Sequence, residues 1–183
     1  MRVITGSARG RRLIPPQGND VRPTTDTVKE ADFSIIQFSV EGRRFLDAFA
    51  GSGQMGIEAL SRGAQSALFL DNSRRSVEII KKNLELCGLS DRAQVLCRST
   101  PEYLDGAAGT FDIIFLDPPY KTGLLQAALE RAPRVLSEGG MVICEHPEDE
   151  QLPEEVGTLC RKKEYKYGKI RISIYSGREV DGI

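Results

Sequence analysis

The chain has 183 residues, 40% hydrophobic and 28% charged, with a formal net charge of −1. That length suits one domain with a substantial core, and no apolar run reaches the roughly 20 residues a membrane span requires. No signal-peptide core follows Met1-Arg2-Val3-Ile4, so a cytoplasmic protein without membrane contact is expected.

The chain opens on a basic segment. Arg2, Arg9, Arg11, Arg12 and Arg22 face only Asp20 among residues 1–25, and 3–12 followed by Pro15-Pro16 predicts a small strand-and-turn appendage. Amphipathic spacing predicts a helix over 28–38, with Pro23 as a breaker and Thr24-Thr25-Asp26 as capping residues. Strand and helix periods then alternate: strand 44–49, helix 54–62, strand 66–70, helix 75–87 stopped by Gly88, strand 93–97, short helix 101–104, strand 111–116. A helix over 124–136 should bend or end early at Pro133, and Gly139-Gly140 leads into a strand over 141–144. Residues 159–167 and 169–175 flank Gly168 as an antiparallel hairpin. Its Arg161, Lys162, Lys163, Lys166, Lys169 and Arg171 are offset in the total by Glu148-Asp149-Glu150 and Glu154-Glu155. On charge alone, both basic segments read first as solvated faces. The alternation requires an α/β fold, a Rossmann-like parallel sheet with helices on both faces over 23–183, and 1–22 stands apart as a basic N-terminal β extension.

Two motifs carry chemistry. Gly51, Gly53 and Gly56 form Gly-x-Gly-x-x-Gly between a strand and a helix, where backbone amides can meet a ligand. Asp71 ends the next strand about 20 residues on, the position of a ribose-binding carboxylate. Asp47 lies at the end of the first strand, within reach of the glycine turn. Its charge would repel a pyrophosphate and suits a cationic amino acid, which favours S-adenosylmethionine over a nicotinamide dinucleotide. The second motif is Asp117-Pro118-Pro119-Tyr120, directly after the apolar run 111–116. Prolines cannot extend a central strand. Here they stiffen an elbow at the end of the sheet where ligands bind, so that the Asp117 carboxylate and the Pro118 carbonyl offer two acceptors to one amino group while Tyr120 offers a stacking face.

These blocks resemble a family. Asp-Pro-Pro-Tyr in this place is similar to the signature of methyltransferases acting on exocyclic amines of nucleobases. Arg9-Gly10-Arg11-Arg12-Leu13, Arg22-Pro23-Thr24-Thr25-Asp26-Thr27-Val28-Lys29-Glu30, Asp47-Ala48-Phe49-Ala50-Gly51-Ser52-Gly53 and Glu58-Ala59-Leu60-Ser61-Arg62-Gly63-Ala64 resemble one branch of it, the bacterial guanine-N2 methyltransferases of small-subunit ribosomal RNA. The resemblance spans nearly the whole chain. It implies a class I S-adenosyl-L-methionine-dependent methyltransferase with a mostly parallel seven-stranded sheet and a C-terminal antiparallel hairpin, acting on rRNA in an assembling small subunit; a monomer is expected, and with no Cys-x-x-Cys pair and one histidine no metal is expected. It also implies cofactor contacts from Asp47, Ala48, Phe49, Gly51, Ser52, Gly53, Asp71, Asn72, Ser99 and Thr100. Catalysis falls to Asp117, Pro118, Pro119 and Tyr120, and RNA contacts to Arg9, Arg11, Arg12, Arg22, Thr24 and Lys29. The chain departs from the branch at Thr27, usually basic, at Asp32, usually apolar, and at Ser99, where Asp or Asn commonly meets the adenine amine.

Other readings share part of this pattern. A DNA adenine-N6 methyltransferase would use the same elbow, but the chain has no obvious DNA-recognition domain. A non-catalytic RNA-binding assembly factor would have no use for intact Asp47, Asp71 and Asp117. The scattered cysteines, Cys87, Cys97, Cys144 and Cys160, are expected to be reduced thiols, and His146, the one histidine, a surface loop residue.

Overall fold

The computed structural model describes residues 1–16, 26–36, 39–107 and 110–177. The predicted RNA contacts Arg22 and Thr24 lie outside the described residues, as do the side chains of Thr27 and Asp32. After the N-terminal segment come helix α1 (Asp26–Ile36), β1 (Arg44–Asp47), α2 (Gln54–Ser61), β2 (Ser66–Asp71), α3 (Arg74–Cys87), β3 (Ala93–Cys97), α4 (Thr100–Gly106), β4 (Phe111–Leu116), α5 (Leu124–Arg131), β5 (Leu136–Pro147), β6 (Glu155–Val156), β7 (Leu159–Tyr167) and β8 (Ile170–Gly177). They form a single sheet of eight strands in the order β3-β2-β1-β4-β5-β8-β7-β6. The five N-terminal strands run parallel; β8 adds antiparallel to β5, β7 antiparallel to β8, and β6 antiparallel to β7. The eighth strand, absent from the sequence reading, is the two-residue β6, too short to leave a period.

Side chains alternate across each strand, so the sheet carries two cores. Phe45, Phe69, Phe115 and Ile143 pack with Phe33 of α1 and with α2 and α3, while Leu46, Leu70, Ile114 and Val142 pack with Leu104 of α4 and Leu129 of α5. Pro133 ends α5 early, as its missing donor requires: the helix stops at Arg131, and residues 132–134 form one 3₁₀ turn. The strand expected at 141–144 is longer in both directions. Leu136 already pairs with Phe111, and Ser137 through Gly140 bulge opposite Asp112 before Ile113 meets Met141. The glycines therefore lie inside a strand and mark a bulge within it. His146 is also corrected. It sits in β5, buried, with Nε2 2.9 Å from Ser173 Oγ and Nδ1 3.1 Å from the Glu150 carbonyl, and burial depresses its pKa.

The N-terminal segment has one β-bridge, Arg2 to Arg12, and is seated on the domain by buried polar groups. Glu58 of α2 accepts the amides of Ile4 (2.8 Å) and Thr5 (2.9 Å) and the Nε of Arg62 (2.9 Å), with Lys29 Nζ at 3.6 Å. Ser61 Oγ accepts from Ala8 N and donates to Thr5 O. Asn83 of α3 bonds both main-chain groups of Ile14 and donates to the Ser52 carbonyl in the glycine loop. Gly6 crosses α2 so closely that a Cβ there would stand 1.8 Å from the Ser61 carbonyl oxygen, at a φ of +88° that also favours glycine.

Candidate active site

The strand order reverses between β1 and β4, which places a crevice at their C-terminal ends. Four of the strands bordering it end in or near an acid: Asp47, Asp71, Asp117 just beyond β4, and Glu145. The glycine loop runs from β1 into α2. Gly51 (φ +57°) and Gly53 (φ +78°) take the left-handed conformation that side chains disfavour, and open space lies where a Gly51 Cβ would stand. Gly56 serves packing instead, since a Cβ there would meet the Phe69 ring at 2.3 Å. Ser52 is buried, its hydroxyl toward the Met1 thioether, and Phe49 is half-buried against the α4 and α5 core.

Both acids around this loop are oriented by amides. Asp71 accepts from Gly51 N at 2.9 Å and from Ser73 N at 2.8 Å. A carboxylate has about four lone-pair sites, so this one, half-exposed, keeps acceptor capacity for two adjacent hydroxyls. Exposed Asn72 follows it. Asp47 is only 2% exposed and accepts from Gly56 N at 2.9 Å, which ties it to the first turn of α2. Desolvation raises its pKa to about 7, opposed by the Gly56 bond and reinforced by the nearby Asp71 charge. Among the described residues no cation forms an ion pair with it. A buried acid without a counter-ion beneath an open glycine backbone fits a cationic ligand and disfavours a phosphate. The α4 end closes the site: Thr100, buried, donates its hydroxyl to the Ala48 carbonyl, and half-buried Ser99 precedes the helix with its carbonyl bonded to Tyr103 N.

The elbow after β4 is tightly built. Pro118 is buried and Pro119 exposed; Thr122 Oγ1 donates to the Pro119 carbonyl at 2.7 Å, and Gly123 (φ +76°) starts α5. Lys121 has φ +59°, unusual for a residue with a Cβ, and its ammonium reaches Asp149 at 2.7 Å. Tyr120 is 38% exposed, and its hydroxyl donates to Glu145 Oε1 at 3.2 Å. Asp117, half-buried, stands beside it.

The basic residues divide. Arg9, Arg11 and Arg12 are exposed on the docked N-terminal segment. Lys29 is not available: it is fully buried, with its ammonium 2.5 Å from the Arg2 carbonyl and paired with Glu58, so it holds the segment from within. A helical period places a lysine on a face but does not say whether another segment covers that face. The hairpin presents Lys162, Lys163, Lys166 and Lys169 to solvent, with Lys166 paired to Glu148 at 2.6 Å. Sequence reasoning missed Glu145, Glu58 and Asn83. For Glu145 a signal existed, an acid closing an apolar strand run as at Asp47, Asp71 and Asp117.

A doubly wound sheet with this glycine loop, an acid at the end of β2 and an Asp-Pro-Pro-Tyr elbow makes the chain a class I methyltransferase, the group that draws its methyl from S-adenosylmethionine. The solved structure of the yhhF protein from Escherichia coli superposes with a TM-score of 0.87 at 28% identity, covering 97% of both chains. The chain belongs to the family described as Conserved hypothetical protein 95, whose model matches residues 1–176. Among its relatives, the YlbH protein of Bacillus subtilis is 42% identical over 97% of this chain and 100% of its own length. The protein named Ribosomal RNA small subunit methyltransferase D of Escherichia coli K12 is 30% identical over 100% of this chain and 92% of its own. Its namesake in Haemophilus influenzae is 38% identical over 70% of this chain and 68% of its own. No helix among the described residues is long and apolar enough to cross a membrane.

Proposed function

We propose that this methyltransferase acts on the exocyclic N2 amine of a guanine in small-subunit ribosomal RNA. We place it in the cytoplasm, as a monomer working on a partly assembled subunit. One observation carries the reading: a proline-stiffened acid and a half-exposed tyrosine stand at the end of β4 beside the glycine loop, in a chain whose relatives are named for rRNA methylation.

When bound, S-adenosylmethionine supplies an electrophilic methyl on a sulfonium centre. Asp47 would hold its ammonium and Asp71 its ribose hydroxyls, and the Gly51–Gly53 backbone with Ala48, Phe49, Ser52, Asn72, Ser99 and Thr100 would complete the cofactor's contacts. The amine of a guanine is a poor nucleophile because its lone pair is conjugated into the ring. Asp117 Oδ and the Pro118 carbonyl accept its two hydrogens, favour a pyramidal nitrogen and stabilise the positive charge that develops there. The methylated nitrogen is acidic and releases its proton without a strong base, so buried His146 is not needed. The target base leaves its stack, at a cost of a few kcal/mol, and stacks on Tyr120, worth roughly 1–3 kcal/mol. Arg9, Arg11 and Arg12, with the hairpin lysines, hold phosphates, so RNA affinity falls steeply with salt.

The test is mass spectrometry of small-subunit RNA from cells lacking this protein. One N2-methylguanine should be missing and should return when the purified enzyme and S-adenosylmethionine are added. A full complement of N2-methylguanine, or methyl transfer to adenine in DNA instead, overturns the proposal.

The role of Asp47 has its own test. Its folded pKa of about 7 lies above the ordinary value near 3.9, so the folded protein holds the extra proton between those values. Stability from this group is therefore largest at low pH, falls as pH rises from about 4 to about 7, and is flat above. An ammonium ligand favours the ionised form. Affinity for S-adenosylmethionine should rise as pH climbs to about 7, with proton release visible by calorimetry in buffers of different ionisation enthalpy. Asp47→Asn should flatten that dependence, and an already flat wild-type profile would remove Asp47 from cofactor binding.

A further inference from the structure

The Asp-Pro-Pro-Tyr elbow handles an amine but does not say which base carries it: adenine and guanine both present one. We propose that Glu145 reads the guanine, accepting its N1–H while Asp117 and the Pro118 carbonyl accept the N2 hydrogens. The inference rests on the guanine-N2 reading above and names the residue that sets its base selectivity.

Glu145 lies where such a group is needed. In the parallel pairing of β4 with β5, Leu116 is matched with Cys144, so Asp117, just beyond β4, and Glu145 of β5 each follow directly on that last matched pair. Alternation places both on the face shared by Phe115 and Ile143. Glu145 is 2% exposed, and its antiparallel partner on β8 is the buried Ile172. Its bond to the Tyr120 hydroxyl links it to the ring on which the base stacks. The acid therefore follows the same matched pair as the catalytic acid and is directly bonded to the stacking residue.

The chemistry distinguishes the bases. Guanine presents N1–H and N2–H as adjacent donors along one edge, and a row of carboxylate and carbonyl acceptors matches that edge. Adenine presents an unprotonated N1 next to its amine. Two acceptors would then face each other without a proton between them, which penalises adenine in addition to withholding a bond. A site built around a buried hydrogen bond rejects a substrate lacking the partner far more strongly than a shape-based pocket does.

The probe is small-subunit RNA carrying, at the methylated nucleotide, either guanine or 2-aminopurine introduced by ligation of a synthetic segment. The analogue keeps the N2 amine and lacks N1–H. Wild-type enzyme should favour guanine by about 100-fold or more in kcat/KM. In Glu145→Gln, whose amide can turn a donor toward an unprotonated N1, that preference should fall at least about tenfold while S-adenosylmethionine affinity by calorimetry stays unchanged. Tyr120→Phe removes the phenol bond and keeps the ring; it should slow both substrates and leave the preference intact. An unchanged guanine preference in Glu145→Gln, with equal loss on both substrates, assigns Glu145 to holding Tyr120 and overturns this inference alone. Wild-type enzyme that makes no N2-methylguanine overturns the proposed function and this inference with it.

Discussion

Asp117→Ala should lower the single-turnover rate of methyl transfer by about 10²–10³-fold, the range expected when one preorganised group facing developing charge is removed. The carboxylate sits on a backbone fixed by two prolines, by the Thr122 bond to the Pro119 carbonyl and by Gly123 at the start of α5. No reorganisation is then needed as the amine becomes positive, which is why its loss falls on the rate rather than on ground-state binding. Cofactor affinity should change little, because Asp47 and Asp71, the acids proposed to hold the cofactor, stand on other strands. Asp117→Asn keeps an acceptor oxygen and should lose less. Wild-type single-turnover rates in Asp117→Ala would exclude the carboxylate from the reaction.

The second large effect is on stability. Glu58→Ala should destabilise the fold by about 3–5 kcal/mol, the cost of breaking a buried ion pair from one side. The carboxylate lies in the interior beneath the N-terminal segment and serves Ile4 N, Thr5 N, Arg62 and Lys29 at once. Its removal takes a counter-ion from a fully buried lysine and the acceptor from two amides. At roughly 2–4 °C per kcal/mol for a chain of this size, the melting temperature should drop by about 6–20 °C. Glu58→Gln, which preserves two of the acceptor contacts, should fall between. A melting temperature within about 2 °C of wild type in Glu58→Ala would mean that the segment is not anchored there.

Much of this was legible in the sequence because the relevant physics is local. The strand, glycine turn and helix around residues 44–61, the stop at Gly88 and the break at Pro133 follow from periodicity and backbone restriction, and the structure has each of them. The elbow was legible for the same reason, since prolines after an apolar run admit few conformations. What failed depends on contacts between distant segments. Burial of Lys29 needs residues 2 and 58 brought together, burial of His146 needs β8 laid beside β5, and the bulge of residues 137–140 is set by pairing with β4. The two-residue β6 exists only because β7 is there to receive it.

The outer edge of the sheet has a consequence for any study of the hairpin. β6 pairs with β7 at Leu159 and Cys160, and Arg161 N donates to the Glu154 carbonyl, so among the described residues no strand pairs with β7 on that side from Lys162 through Tyr167. An open strand of that length is a template for unwanted strand addition, and the lysines at 162, 163 and 166, with the register break between Arg161 and Lys163, are what deter it. Neutralising those lysines to probe RNA affinity would therefore also remove a guard against self-association. Reversal to glutamate keeps the edge guarded while abolishing attraction to phosphate, and it is the substitution that separates lost RNA affinity from simple clumping.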